Sequence, residues 1–235
     1  MLIVGASIWT KKLTIPAALT GGVLGWVIYW GSGVTGLCML GTFFVLGTAA
    51  TAWKKAEKHG LPGKDAHQTT RRTGQVLANG GVAALTAGLI LLFPAYQHIG
   101  LVAVAGSLSS AMADTLSSEL GSVYGKRFFN ILTFRPDQKG MDGVISLEGL
   151  AIGIAGSTVI AGVYAIGYGW SPAEACIVIA GTAGNLADSV LGAALERKGR
   201  IGNDGVNFLN TLIGAGVAAA LFYHCCSPVV SITPM

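Results

Sequence analysis

The sequence predicts an all-α, polytopic integral membrane protein with about seven transmembrane helices. Of its 235 residues, 52% are hydrophobic, 11% are charged and 35 are glycine, and the mean hydropathy is +0.62. Ordinary soluble domains do not combine these values. The glycines lie among Ala, Val, Ile and Leu without a short period, as they do in closely packed membrane helices.

Seven apolar runs are long enough to cross the hydrocarbon core, which takes roughly 17 to 25 helical residues. The first run is short and contains Pro16, so six spans are the alternative. The predicted organisation is one membrane domain (1–235), with an added N-terminal helix (1–32) and three hairpin repeats (33–96, 97–168 and 169–224). The predicted spans are residues 14–30, 33–53, 75–96, 99–118, 144–168, 173–195 and 207–224.

The basic residues predict the orientation in the membrane. Every Lys and Arg lies in one of four segments, which fall on one side of a seven-span arrangement: 11–12, 54–72, 126–139 and 197–200. The opposite loops contain no Lys or Arg. The positive-inside rule therefore predicts a cell (inner) membrane protein whose N-terminus and long basic loops are cytoplasmic. No cleavable signal peptide is expected, because Lys11 and Lys12 follow the apolar start.

The chain repeats a short pattern of helix, loop and helix. The stretches "MADTLSSELG" and "LADSVLGAALE" each place an Asp near the loop end of a span, and each is followed by a basic loop. Those loops end in "DGVISLEG" and "DGVNFLNT", and "TGQVLANG" is a fainter third copy. Repeats of equal direction imply an axis along the membrane normal. The equivalent positions Asn79, Glu148 and Asn210 are predicted to face this axis.

Two spans carry a carboxylate on a polar stripe. Residues three or four apart share a helix face, which gives the stripes Asn185, Asp188, Ser189, Gly192, Glu196 and Asp114, Ser117, Ser118, Gly121. Glu119 lies about one position off its stripe. A carboxylate at this depth costs roughly 2.5 to 3.5 kcal/mol on insertion scales, a cost usually met by a cation, a partner or water. Asp114 and Asp188 are therefore predicted to be functional.

The chemistry suggested by these residues is phosphoryl transfer at a lipid headgroup. Carboxylate and amide oxygens near the loop ends of the spans suit Mg²⁺. The loop cations, including Arg71 and Arg72, suit phosphate oxygens. Such a site would work through positioning and charge neutralisation.

Five motifs in order, "RRTGQVLANGG", "ADTLSSELG", "DGVISLEG", "AGNLADSVLGAALE" and "NDGVNFLNT", resemble the phytyl-phosphate kinase family of plants and cyanobacteria and its uncharacterised integral-membrane relatives. The resemblance covers about residues 71–220. It implies a multispanning protein whose plant members transfer a phosphoryl group from a nucleoside triphosphate, preferably CTP, to an isoprenyl monophosphate. Most relatives have no demonstrated reaction. Leu116 and Glu148 depart from the family pattern, which bears on substrate identity.

The resemblance and the placement of charged residues together give a set of candidate site residues. Asp114, Glu119 and Asp188 are expected to be catalytic and to hold Mg²⁺, while Arg72, Lys126 and Arg127 neutralise the phosphates of CTP (or another NTP). An acceptor phosphate monoester is largely ionised at pH 7, so strong general-base catalysis is not obligatory. The further residues expected to bind substrate or nucleotide are Gln75, Asn79, Ser118, Asp142, Gly143, Ser146, Asn185, Ser189, Asn203, Asp204 and Asn207.

Two other functions use the same residues. A transporter or channel would use the polar stripe as a path across the membrane, whereas the polar residues concentrate at one end of the spans. A lipid-phosphate cytidylyltransferase would use the same metal and cations but release diphosphate. Neither a zinc site nor a nucleic-acid partner is expected. The oligomeric state and the identity of the lipid stay open.

Overall fold

The structure is a computed structural model, and it describes residues 12–58, 60–61 and 70–226. Six of its helices are long and apolar enough to cross a membrane, which confirms the predicted fold class. A 3-10 turn (Pro94–Tyr96) joins the third helix to the fourth, and a π-helical turn (Gly192–Glu196) extends the sixth. The helices are α1 (Ile15–Ala52), α2 (Lys55–Lys58), α3 (Thr73–Leu92), α4 (Gln97–Tyr124), α5 (Leu147–Tyr168), α6 (Ala173–Leu191) and α7 (Asn203–Cys226).

Helix α1 is a hairpin of two spans. A straight helix of its 38 residues would be about 57 Å long, nearly twice the thickness of the hydrocarbon core. The helical geometry breaks at Ser32 and Gly33, and Gly33 has a φ of +61°, which glycine adopts without a steric penalty. Phe44 packs back against the cluster of Leu13, Ala17 and Ala18, so the arms are antiparallel. They match the first two predicted spans and bring the number of crossings to seven: residues 15–31 (first arm) and 34–52 (second arm).

Helix α4 is the centre of the bundle. It packs against α1, α3, α5, α6 and α7, and its residues 101–113 are buried without interruption. Glycines permit this closeness: a Cβ at Gly184 of α6 or Gly214 of α7 would overlap the side chain of Ser110. The glycines predicted to be helix contacts act as such here.

The loop between α4 and α5 is fixed onto the end of α6. Two short antiparallel strands, β1 (Phe129–Asn130) and β2 (Val144–Ile145), close the loop. Next to β2, Gly143 has a φ of +73°, and a Cβ there would overlap Ala193. Only glycine fits that position, which brings Asp142 to the end of the bundle.

Candidate functional site

A cavity of about 780 Å³ lies at the end of the bundle that carries the basic loops. Parts of α1, α2, α3, α4, α6 and α7 and the α4–α5 loop line it. Five basic and six acidic side chains are among the described lining residues. Eleven charged side chains of the described residues therefore share this compartment, at the end of the bundle where the basic loops lie.

Most of the residues predicted from the sequence line this cavity. The exceptions are Lys126 and Arg127, whose side chains are exposed outside it. The residues brought together are Arg72, Gln75, Asn79, Asp114, Ser118, Glu119, Asp142, Gly143, Ser146, Asn185, Asp188, Ser189, Asn203, Asp204 and Asn207.

The acidic wall of the cavity comes from the repeated hairpins. Its two central members, Asp114 of α4 and Asp188 of α6, both line the cavity, and their side chains are close enough to interact. A divalent cation can join two neighbouring carboxylates of this kind. The acidic wall consists of Asp114, Asp142, Asp188, Glu196 and Asp204.

Amide side chains of α7 orient the central pair. Asn210 is fully buried and donates from Nδ2 to Oδ1 of Asp188 at 2.8 Å. The hydroxyl of Ser110 donates to Oδ1 of Asn210 at 3.0 Å. Asn207 lies one turn before Asn210 and donates from Nδ2 to Oδ1 of Asn203 at 2.9 Å. The bonds from Ser110 to Asn210 and from Asn210 to Asp188 orient the carboxylate of Asp188.

Of the three positions predicted to face the repeat axis, only Asn79 lines the cavity. Asn210 lies just beneath the lining, bonded to Asp188. Glu148 lies outside the lining and accepts a hydrogen bond from the backbone N–H of Lys126 at 3.4 Å. The three copies have therefore diverged at this position.

Arg197, just after the π-helical turn, holds the α4–α5 loop against the cavity. Its Nε and Nη2 donate to the carbonyl of Asp142 at 3.1 and 2.7 Å. Its Nη1 lies 2.8 Å from Oδ2 of Asp137. The hydrogen bond from Arg197, followed by one from the backbone N–H of Gln138, lowers the pKa of Asp137. Burial raises the pKa of Asp142, and the charge of Arg197 partly opposes that rise.

The basic wall comes from segments next to α1 and α3, not from the repeats' Asp motifs. Arg72 was predicted to be part of the site, and Arg71 was noted as a suitable cation. The other members were missed because topology alone requires Lys and Arg in these loops. The wall meets the acidic wall at Gly74, where a Cβ would overlap the carboxylate of Asp204. The basic wall consists of Lys12, Lys55, Lys58, Arg71 and Arg72.

Lys58 and Glu119 join the two sides of the cavity. The side chain of Lys58 is 5% exposed, and its Nζ lies 2.6 Å from Oε2 of Glu119. The same ammonium donates to the carbonyls of Ala50 and Thr51 at 2.9 Å, at the end of α1. Glu119 is thus a partner of the basic wall, in keeping with its position off the polar stripe of α4.

The donor set around Asp114 and Asp188 fits one Mg²⁺ ion. Across residues 12–58, 60–61 and 70–226, no three His, Cys, Asp or Glu side chains are grouped as a metal site. Mg²⁺ is usually held by one or two carboxylates plus waters and substrate phosphates, so a pair suffices. Asn79, which lines the same cavity, has a buried Oδ1 atom with no hydrogen-bond partner among the described residues.

Comparison with known proteins relates the chain to a family of membrane proteins. The family model described as integral membrane protein DUF92 matches residues 1–215. The chain is 33% identical over 201 residues to an uncharacterised membrane protein of Methanocaldococcus jannaschii, covering 86% of this chain and 82% of the relative. It is 32% identical over 224 residues to an uncharacterised membrane protein of Synechocystis, covering 92% and 85%.

A plant relative lies in the same set. The chain is 30% identical over 211 residues to the chloroplastic protein VTE6 of Arabidopsis thaliana, covering 87% of this chain and 62% of that protein. The chain thus spans less than two thirds of the plant protein's length. No solved structure matches. The resemblance inferred from the five motifs is confirmed.

Proposed function

This chain belongs to the DUF92 family of integral membrane proteins, and we propose that it is a phosphotransferase that converts an isoprenyl monophosphate to the diphosphate. CTP is the proposed donor and Mg²⁺ the proposed metal. The observation that carries the proposal is the pairing of an acidic wall with a basic wall in one cavity among membrane spans. The five motifs and the similarity to VTE6 support the same reaction class.

The proposed reaction joins two phosphates. An oxygen of the acceptor phosphate monoester forms a bond to the γ-phosphorus of CTP. The bond from that phosphorus to the bridging β-oxygen breaks, and its electron pair leaves with CDP. The acceptor is largely a dianion at neutral pH, so the site needs to align the two phosphates and offset their repulsion.

The chain's own side chains have distinct tasks in this proposal. Asp114 and Asp188 hold the cation, which when bound offsets the charge of the donor phosphates. Asn210 keeps Asp188 oriented through its 2.8 Å hydrogen bond. The basic wall draws the phosphates to the cavity and keeps them there.

The floor of the cavity supports an interfacial enzyme over the alternative of a transporter or channel. Below Asp114, α4 continues with Met112 and Leu108, whose side chains are fully buried in the apolar core. Ser107, Ser109 and Ser110 of the same stretch are also fully buried, so their hydroxyls do not line an open path as those of a transporter would. The positive-inside rule places the cavity at the cytoplasmic interface, where a prenyl tail can stay in the bilayer.

Product analysis tests the proposal. Purified protein in detergent is incubated with Mg²⁺, geranylgeranyl monophosphate and CTP labelled in the γ-phosphate. The expected products are labelled geranylgeranyl diphosphate and CDP. Asp188→Asn is expected to abolish turnover, whereas Glu174→Gln, a carboxylate-to-amide change outside the cavity in the first turn of α6, keeps it.

Two results would count against this function. A CDP-lipid released together with inorganic diphosphate would identify a cytidylyltransferase instead. Equal turnover by wild type and by Asp188→Asn would remove the acidic pair from the reaction. Thermal unfolding of each variant in the same detergent controls for loss of the fold.

A further inference from the structure

Among the described residues, four cations of the basic wall have no carboxylate at ion-pair distance. Among the described residues, the ion pairs are Lys54 with Glu57, Lys58 with Glu119 and Arg197 with Asp137. The four cations without a carboxylate partner in this part of the chain are Lys12, Lys55, Arg71 and Arg72. Positive charge gathered on one wall of a cavity attracts an anion.

Arg71 is the most firmly placed of these four residues. Its backbone N–H donates to the carbonyl of Lys12 at 2.9 Å, and its carbonyl accepts from the N–H of Thr14 at 3.2 Å. These contacts form a parallel bridge with the segment that leads into α1. The backbone hydrogen bonds to Lys12 and Thr14 therefore fix the position of the Arg71 Cα, from which its side chain extends.

The guanidinium of Arg71 is held by the second arm of α1. It lies over the ring of Phe43, 5.4 Å from the centroid, a distance at which a cation is attracted to the ring face. Nη2 lies only 3.0 Å from the point where a Cβ on Gly47 would be. Burial lowers the pKa of Arg71, and the charge of Glu119 opposes that change.

The carboxylate of Glu119 does not neutralise Arg71 fully. Oε2 of Glu119 lies 2.6 Å from Nζ of Lys58, and this ammonium also donates to the carbonyl of Ala50 at the end of α1. Glu119 is therefore already engaged by a buried ammonium. A planar guanidinium facing a cavity with its charge incompletely offset is suited to a bidentate phosphate contact.

We propose that Arg71, supported by Lys12, Lys55 and Arg72, forms a subsite that binds a phosphate ester without metal. The subsite is separate from the Asp114–Asp188 pair, which needs a cation before it can contact a phosphate. Which phosphate it takes, that of the isoprenyl acceptor or that of the nucleotide, rests on the function proposed above. Phe43 and Gly47 act as positioning residues for the guanidinium.

Binding measured in EDTA tests the subsite. The probes are geranylgeranyl monophosphate and CTP, each titrated separately into purified protein in detergent. We expect wild type to bind at least one probe in EDTA. Arg71→Gln should weaken that binding by about tenfold or more. Arg135→Gln, an exposed residue outside the cavity, is the matched control.

A second variant keeps the test independent of the stability of Arg71→Gln. Gly47→Ala retains the guanidinium but displaces it, since the new methyl group would lie 3.0 Å from Nη2. It should weaken the same probe, by less than Arg71→Gln does. Loss limited to the lipid probe assigns the subsite to the acceptor, and loss limited to CTP assigns it to the donor.

The outcomes separate the subsite from the proposed function. The absence of EDTA-resistant binding of either probe, or binding by Arg71→Gln equal to that of wild type, overturns the subsite even if wild type makes the diphosphate. Metal-independent binding that depends on Arg71 supports the subsite even if wild type makes no diphosphate. In that case only the proposed reaction fails.

Discussion

The acidic and basic walls of the cavity are built in different ways. Asp114 and Asp188 project from the interiors of long helices, where neighbouring spans and Asn210 determine their positions. Lys55 begins the four-residue helix α2 and Arg71 lies in the segment just before α3, and both reach the cavity because the chain folds back after α1. Charged residues on one face of a helix are spaced three or four apart, and this spacing can be recognised in the sequence. Charged residues in a segment that folds back have no such spacing.

This difference suggests a division of labour. The acidic wall, with its carboxyl pair, is suited to hold a cation that arrives with the substrate. The basic wall, with its guanidinium on Phe43, is suited to hold an anion directly. Mutations on the two sides should therefore differ in their response to metal.

The largest expected effect is on the acidic wall. Asp114→Asn should lower kcat by about 10²- to 10³-fold, as removal of one electrostatic contact in a catalytic site often does. The double variant with Asp188→Asn should be little worse than either single variant, because residues that act as a unit are not additive. Steady-state rates at saturating Mg²⁺ measure this. Additive losses would show that the two carboxylates act separately.

Glu119 tests the distinction between the acidic and the basic wall. The sequence predicted it to be a metal ligand, whereas the structure pairs it with Lys58. Lys58→Met removes the buried ammonium that lies 2.6 Å from the Glu119 carboxylate, so we expect a loss of roughly 3 kcal/mol in the free energy of unfolding. Adding Glu119→Gln should recover most of that loss. Denaturant or thermal unfolding in detergent measures both.

The single variant Glu119→Gln sharpens the assignment. If Glu119 belongs to the basic wall, the activity of the Glu119→Gln variant should depend on Mg²⁺ concentration as that of wild type does. A large rise in the Mg²⁺ concentration needed for half-maximal rate would instead identify Glu119 as a metal ligand.

A smaller effect is expected from the clamp on the α4–α5 loop. Because the pKa of Asp137 is lowered in the fold, its ion pair with Arg197 stabilises the protein above the ordinary Asp pKa of about 3.9. That contribution is lost as the pH falls through the lowered value. The difference in Tm between wild type and Asp137→Asn should be present at pH 7 and disappear in strong acid. A difference that grew as the pH fell would contradict the assignment.

The smallest effect is expected at Lys126 and Arg127, the two predicted site residues that lie outside the cavity. Arg127→Gln should change the rate by less than about twofold, as is usual for an exposed side chain away from the site. Arg72→Gln, at the cavity, is the comparison variant. A severe loss in Arg127→Gln would mean that the loop carries this side chain into the site during the reaction.

Part of the site was accessible from sequence because its signals are local. A carboxylate inside an apolar run is costly wherever the run lies, so Asp114 and Asp188 were identified without knowledge of their neighbours. The repeated Asp-Gly motifs similarly indicated Asp142, Gly143 and Asp204. Glu196 was on the predicted stripe but was not selected, although it lines the cavity.

The basic wall could not be identified in that way. Lys and Arg lie in these loops for reasons of topology, so composition does not separate Lys55 and Arg71 from Lys126 and Arg127. Their separation depends on the return of the chain after α1 and on the bridge between Arg71 and the segment before α1. Contacts between segments that are distant in the chain leave no regular residue spacing by which they could be recognised from sequence.

Hydropathy and helical period, which each segment carries by itself, sufficed for the membrane class, the seven spans and the carboxylates on two helix faces. The fold of the bundle decided which charges meet: Asp114 with Asp188, Glu119 with Lys58, and Arg71 with the cavity. The physical reason is that the cost of burying a charge is a property of one residue, while its partner is chosen by packing over the whole chain.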